Sequence, residues 1–286
     1  MKLPSIFVSH GSPMIALEPG AAGAFLRRLG PAIDATFGRP RAVLAVSAHT
    51  LARAPALLAS ARHDTVHDFG GFPEALYALR YDAPGAPGLA DEVHGLLAQA
   101  GIDAPVLDRG GLDHGIWTAL RYLYPDADMP VLPLALVPTL PPAQQFALGE
   151  ALASLRDDGV LVFGTGSITH NLRLVFAQRP QAASARHGTD TTASDEMPES
   201  RAFRDWFAAR SAALDWDGLF DYRRAAPHAV LMHPTDEHLL PWYPAAGAGG
   251  RDATPLRLHD SITLGALGMD AYAFGNGAAA LRAALA

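Results

Sequence analysis

The chain has 286 residues, 49% apolar and 18% charged, enough to bury a substantial core in one large α/β domain. A net charge of −7 and a pI near 5.9 advertise no basic face for nucleic acid or an anionic membrane. No apolar run reaches the roughly 20 residues of a bilayer span and no secretory pattern opens the chain, so a cytoplasmic location is expected. Cysteine is absent, which excludes thiol nucleophiles, thiolate zinc sites, iron–sulfur clusters and disulfides. The single lysine, Lys2, excludes a P-loop lysine or an internal Schiff base. An enzyme made from this inventory works with His, Asp/Glu, Ser/Thr, Tyr or a metal, and twelve histidines favour the metal.

In chain order, Leu3 to Val8 reads as a buried strand that stops at His10, where Gly11-Ser12-Pro13 turns the chain. Ala21 to Leu29 reads as a helix, Arg41 to His49 as a second buried strand, and Ala54 to Ser60 as a further one. His67-Asp68-Phe69-Gly70-Gly71-Phe72-Pro73 is a turn rich in aromatics. It is either a loop packed over a site, with His67 and Phe72 lining a substrate pocket, or a hydrophobic plug. Leu89 to Ala100 is helical and ends at Gly101. After a short strand at 105–107, Asp113 is placed to cap a helix over Ile116 to Tyr124. Met129 to Val137 reads as an edge or irregular strand because of Pro130 and Pro133, Ala143 to Leu155 as a helix, and Gly159 to Phe163 as a third apolar strand leading to His170.

Residues 178–200 are polar and read as a surface loop or insertion. Helices are expected over Glu199 to Ala213 and Ala225 to Met232, with late strands at 255–259 and 271–274. Pro234 suits the first position of another helix. His63, His94, His187 and His259 read as surface or loop residues, and Gly164-Thr165-Gly166-Ser167 as the turn that delivers His170. Alternating strands and helices without a repeat or linker predict one α/β domain over 1–286 with a largely parallel sheet.

His10, His49 and His170 each follow the end of an apolar strand. If those strands are parallel neighbours the three converge where open α/β sheets bind ligands. A fourth segment, His233-Pro-Thr-Asp-Glu237-His238, supplies further donors. Two histidines and a carboxylate are a usual iron set, so the residues alone allow His10 and His49 with either Glu237 or His238.

His10-Gly-Ser-Pro, Ser47-Ala-His49, His67-Asp-Phe-Gly-Gly-Phe-Pro, Asp113-His114-Gly, His170-Asn-Leu and Pro234-Thr-Asp-Glu-His238-Leu-Leu-Pro occur in that order. The set resembles the class III extradiol ring-cleavage dioxygenases of the LigB-like superfamily, in the single-chain 4,5-DOPA dioxygenase-like branch, from the first strand to about Gly268. The resemblance implies a three-layer α/β sandwich with a largely parallel or mixed central sheet. It also implies Fe(II) for catalysis, with Zn(II) able to occupy the site, and a catechol and O2 as substrates, in a monomer or homodimer. By the same resemblance His10, His49 and His238 match the metal ligands, with Glu237 at the neighbouring position. His170 matches an acid/base that can become a fourth ligand, and His114 a pocket histidine that hydrogen-bonds substrate. Two positions depart from the pattern: Thr50 stands where an aromatic commonly follows the second ligand, and His233 where relatives can carry another residue. A zinc-dependent hydrolase and a non-catalytic metal-binding protein are the alternatives on this scaffold.

Overall fold

In the computed structural model, which describes residues 2–175 and 196–286, the apolar runs pair into one six-stranded sheet. Its strands are β1 (Ser5–Ser9), β2 (Ala42–Ser47), β5 (Val131–Pro133), β6 (Val160–Gly166), β7 (Leu256–His259) and β10 (Ala271–Phe274). The short pairs β3 (Leu57–Leu58) with β4 (Val106–Leu107) and β8 (Ile262–Thr263) with β9 (Leu267–Gly268) lie outside it. The sheet order is β5-β2-β6-β1-β10-β7, parallel from β5 to β1 and antiparallel beyond.

Alternation along each central strand divides the core into two. Phe7, Leu44, Val46, Val160 and Val162 face one side, where α3 (Pro87–Gln99), α5 (Pro142–Ala151), the helix Pro198–Ala212 and the helix Trp242–Gly249 contribute. Ile6, Val8, Val43, Ala45, Leu161 and Phe163 face the other, covered by α1 (Gly20–Phe37), α4 (His114–Leu123) and the C-terminal helix Ala278–Leu285. The result is the expected three-layer mixed α/β arrangement, because strands buried on both faces require a helical layer on each.

Several expectations change in detail. The first helix runs eighteen residues, through Pro31. The strand expected at 129–137 narrows to three residues and lies at the sheet edge, where its prolines cost no ladder bonds. The helix expected over 225–232 divides into Tyr222–Ala225 and Ala229–Met232, because Pro227 intervenes and His228 is left-handed at φ 56°. Pro234 opens no helix; 234–241 is a tight turn leading into Trp242–Gly249. The Gly164–Gly166 stretch belongs to β6 and not to a turn. Most of the surface-loop expectation at 178–200 lies outside the described residues, and 198–200 open a helix.

Candidate metal centre

β1, β6 and β2 are adjacent and parallel, so their carboxyl ends meet in one place. His10 follows β1 directly, with its amide donating to the Gly166 carbonyl (3.0 Å). His49 lies two residues past β2, and its amide donates to Ser47 Oγ (3.2 Å). His238 comes from the 234–241 turn, whose backbone is pressed onto β6: a Cβ at Gly164 would meet the Pro241 carbonyl at 2.2 Å, and one at Gly166 the His238 carbonyl at 2.0 Å. Ring nitrogens of His10, His49 and His238 all fall within 4.8 Å of one another, and His10 Nε2 stands 3.1 Å from His49 Nε2.

A second layer orients these rings. Thr165 Oγ1 donates its one proton to the Gly115 carbonyl (2.8 Å), so it can only accept from His10 Nδ1 (2.9 Å). That fixes the proton of His10 on Nδ1 and leaves Nε2 a free lone pair. His238 Nδ1 lies 3.1 Å from Glu237 Oε1, which directs its Nε2 inward in the same way. Asp113 caps α4 by accepting from the Ile116 amide, and its carboxylate also accepts from Ser47 Oγ (2.7 Å) and Thr50 Oγ1 (2.5 Å). The two hydroxyls flank His49, so Thr50 has a positional use here in place of an aromatic.

Burial followed by the neighbouring histidines keeps the cluster uncharged. His49 is lowered to about 4, chiefly by burial and then by His114, and His170 to about 3, by burial and then by His233. His10 and His238 are lowered well below the ordinary histidine value by burial, with His49 next for His10 and His170 next for His238. At neutral pH all four are neutral imidazoles, the protonation state that binds metal.

Of the residues singled out from sequence, His10, His49, His114, His170 and His238 come together. His114, buried at the start of α4, has its ring 4.0 Å from that of His49 and 5.3 Å from that of His10. His170 stacks on His238. Glu237 lies beside His170 and His238, within 4.8 Å of their nitrogens. His67 packs against Phe69, Tyr77 and Trp117, with its Nε2 on the Leu79 carbonyl (3.2 Å). Phe72 meets Phe69 at 5.3 Å, and it is Phe69 that meets the His114 ring, edge-on at 5.6 Å.

His63, expected as a surface or loop residue, lies in a loop but is fully buried between the Gly111 amide and the Val131 carbonyl. His94 sits within α3 against the Ala104 carbonyl, and His259 lies in β7, stacked on Phe25. His187 lies outside the described residues. His233 is buried, bonding the Ile168 carbonyl through Nε2 (2.7 Å), while Met232 O accepts from the His170 amide (2.9 Å). Sequence reasoning missed Asp68, Asp113 and Thr165 as residues of the site. Asp68 carried a signal, being next to His67 in a quoted motif, whereas Thr165 carried none beyond its place before a glycine.

The donor set fits a divalent transition metal. His10 Nε2 and His49 Nε2 stand 3.1 Å apart, a separation that suits two nitrogens each about 2.0–2.1 Å from one ion. Three neutral imidazoles without thiolate suit iron or zinc and leave positions open for exogenous ligands.

Comparison with known proteins agrees with this geometry. Residues 4–275 match the family described as the catalytic LigB subunit of aromatic ring-opening dioxygenase. The chain is similar to the 4,5-DOPA dioxygenase extradiol of Beta vulgaris, 34% identical over 94% of this chain and 96% of the relative. A protein of the same name from Escherichia coli K12 is 35% identical over 94% of this chain and 93% of its own length. The dioxygenase tasH of Hapsidospora irregularis is 31% identical over 95% of this chain and 84% of its own. Among solved structures, an uncharacterized protein of Escherichia coli K12 superposes with a TM-score of 0.73 at 27% identity, covering 96% of this chain and all of that one. The chain belongs to the LigB family of aromatic ring-opening dioxygenases and is an extradiol ring-cleaving enzyme.

Proposed function

We propose that the protein opens the ring of a catechol with O2, using Fe(II) held by His10, His49 and His238, and that its substrate is a DOPA-like catechol. The observation that carries the ligand assignment is the convergence of three imidazoles, two of them with the outer nitrogen tied to Thr165 or Glu237. The similarity to extradiol DOPA dioxygenases supports the substrate class. It also disfavours a hydrolase or a non-catalytic metal binder on this scaffold. Fe(II) held by His10, His49 and His238 would supply the reducing power for activating O2 beside the catechol.

The rest falls to the chain. His170 enters neutral, so it can accept a proton from a catechol hydroxyl at the site and return it later in the cycle. Asp68 lies 3.0 Å from His114 Nδ1 and accepts its proton, which leaves Nε2 able to accept a hydrogen bond from substrate. Phe69 presents an apolar edge to His114 and is backed by Phe72, a surface suited to an aromatic ring. Glu237 holds His238 from behind. It is not needed as a ligand once His238 supplies the third nitrogen.

The test is oxygen uptake by apoprotein reconstituted anaerobically with Fe(II), against DOPA, caffeate and protocatechuate. Uptake with a yellow ring-opened product in the iron form and none in the zinc form is expected, with DOPA preferred. Absence of uptake across the panel with iron bound would overturn the proposal.

A further inference from the structure

We propose that Asp68 is a positioning residue shared by two site histidines, setting the proton of both His49 and His114 on the outer nitrogen. The turn motif contains it without giving it a role. Its carboxylate sits in the aromatic turn, at the rim of the histidine cluster, with both oxygens on His114 and one of them also facing His49. Oδ1 accepts from the His114 amide (2.9 Å) and from His114 Nδ1 (3.0 Å). Oδ2 also lies 3.0 Å from His114 Nδ1 and faces His49 Nδ1 at 3.5 Å.

The physical consequence differs for the two rings. A proton on His49 Nδ1 leaves His49 Nε2 as a lone pair, and that is the nitrogen 3.1 Å from the lone pair of His10. Asp68 therefore prepares His49 as a ligand, as Thr165 prepares His10 and Glu237 prepares His238. All three assigned ligands then have their outer nitrogen addressed by an oxygen acceptor. For His114, the same carboxylate locks ring and backbone together at the first residue of α4, so the ring cannot rotate away from the cluster.

The aromatic turn is held by the same residue. Phe69, which follows Asp68, is the aromatic that touches His114. The pocket wall and the metal ligand are thus coupled through one side chain that touches neither metal nor substrate.

The inference rests on His49 being a ligand, and its test separates the two claims. Asp68→Asn keeps one oxygen, enough for His114, and turns an amide donor toward His49 Nδ1. Asp68→Ala removes both acceptors. Zinc affinity is measured by competition with a chromophoric chelator, and the His114 tautomer by ring nitrogen-15 shifts in the metal-free protein.

We expect both variants to lose about 10–100-fold in zinc affinity. We expect His114 to keep its Nδ1 proton in Asp68→Asn and to lose that preference in Asp68→Ala. A loop that merely packed would lower the melting temperature without moving the ring shifts. Wild-type zinc affinity in either variant, or an unchanged His114 tautomer in Asp68→Ala, overturns the role of Asp68. His49→Ala is measured alongside: stoichiometric zinc there overturns the ligand assignment itself, while the His114 tautomer still decides the second half of the proposal.

Discussion

The imidazole rings of His170 and His238 are stacked, with 3.4 Å between centroids and planes 8° apart. Imidazole lone pairs lie in the ring plane, so two stacked rings direct their nitrogens along separate parallel planes and not toward one point. On the proposed assignment His238 would hold the metal and His170 would stand beside it as a proton acceptor.

Replacing His170 by alanine should accordingly leave metal binding intact and lower ring cleavage by about 10²–10⁴-fold, the usual worth of a positioned acid/base. His238→Ala should lose the metal. Metal content by elemental analysis, with oxygen uptake on the same samples, distinguishes the two. Loss of metal in His170→Ala would place His170 among the ligands.

Thr165 offers a sharper test of the orienting layer. Thr165→Val keeps the shape but strands a buried His10 Nδ1–H, a cost of about 1–3 kcal/mol for a buried group left unpaired. His10 escapes part of that cost by moving its proton to Nε2, which removes a metal lone pair. We expect zinc affinity to fall about 10–100-fold in Thr165→Val and to recover in Thr165→Ser. Chelator competition reads both, and equal affinity in all three proteins would show that Thr165 does not set the tautomer.

The same buried histidines make the metal-free protein sensitive to acid. In the native state His49 and His233 are lowered to about 4 and His170 to about 3, in each case first by burial. The unfolded chain protonates its histidines near 6.5, so below that pH it binds more protons than the native state. The stability they contribute is complete above about 6.5 and falls progressively as the pH drops toward the native values. For the fully buried His233 alone, this costs on the order of 2 kcal/mol by pH 5. Chelator-treated protein should melt several degrees lower at pH 5 than at pH 7.5, and a flat melting temperature over that range would contradict the neutral cluster.

What could be read from the sequence was set by short-range pattern. Apolar runs that stop at Ser-His and at Ser-x-His marked β1 and β2, and Asp113 ahead of an apolar helix marked its cap, because each signal spans only a few residues. What could not be read was long-range. Thr165 reaches His10 across 155 positions and Asp68 reaches His114 across 46, and neither pairing leaves a trace in local composition. The burial of the loop residue His63 went unread for the same reason, since its partners at Gly111 and Val131 are distant. The buried Arg204, bonded to Glu196, Asp260 and Asp270, likewise gave no local sign of an ion-pair network. The divided helix at 222–232 reflects the opposite error, in which apolar composition outweighed Pro227.

Gly166 carries the last prediction, because its bare backbone is what lets His238 approach β6. In Gly166→Ala the new methyl would start 2.0 Å from the His238 carbonyl, which also accepts from the Ser167 amide (2.8 Å). Gly→Ala at an unstrained site stabilises by about 0.4–1 kcal/mol through the unfolded chain, so any loss here is steric. The fully buried strand cannot yield, as it is packed on both faces, and the 234–241 turn must move instead. A shift of even 1 Å takes His238 Nε2 out of bonding distance of an ion shared with His10 and His49. We expect Gly166→Ala to lose metal far out of proportion to its loss of thermal stability. Gly95→Ala, in α3 with open space around its Cβ position, should keep the metal and gain stability. Isothermal titration with zinc alongside thermal melts compares the pair, and full zinc affinity in Gly166→Ala would mean that the turn does not rely on this close approach.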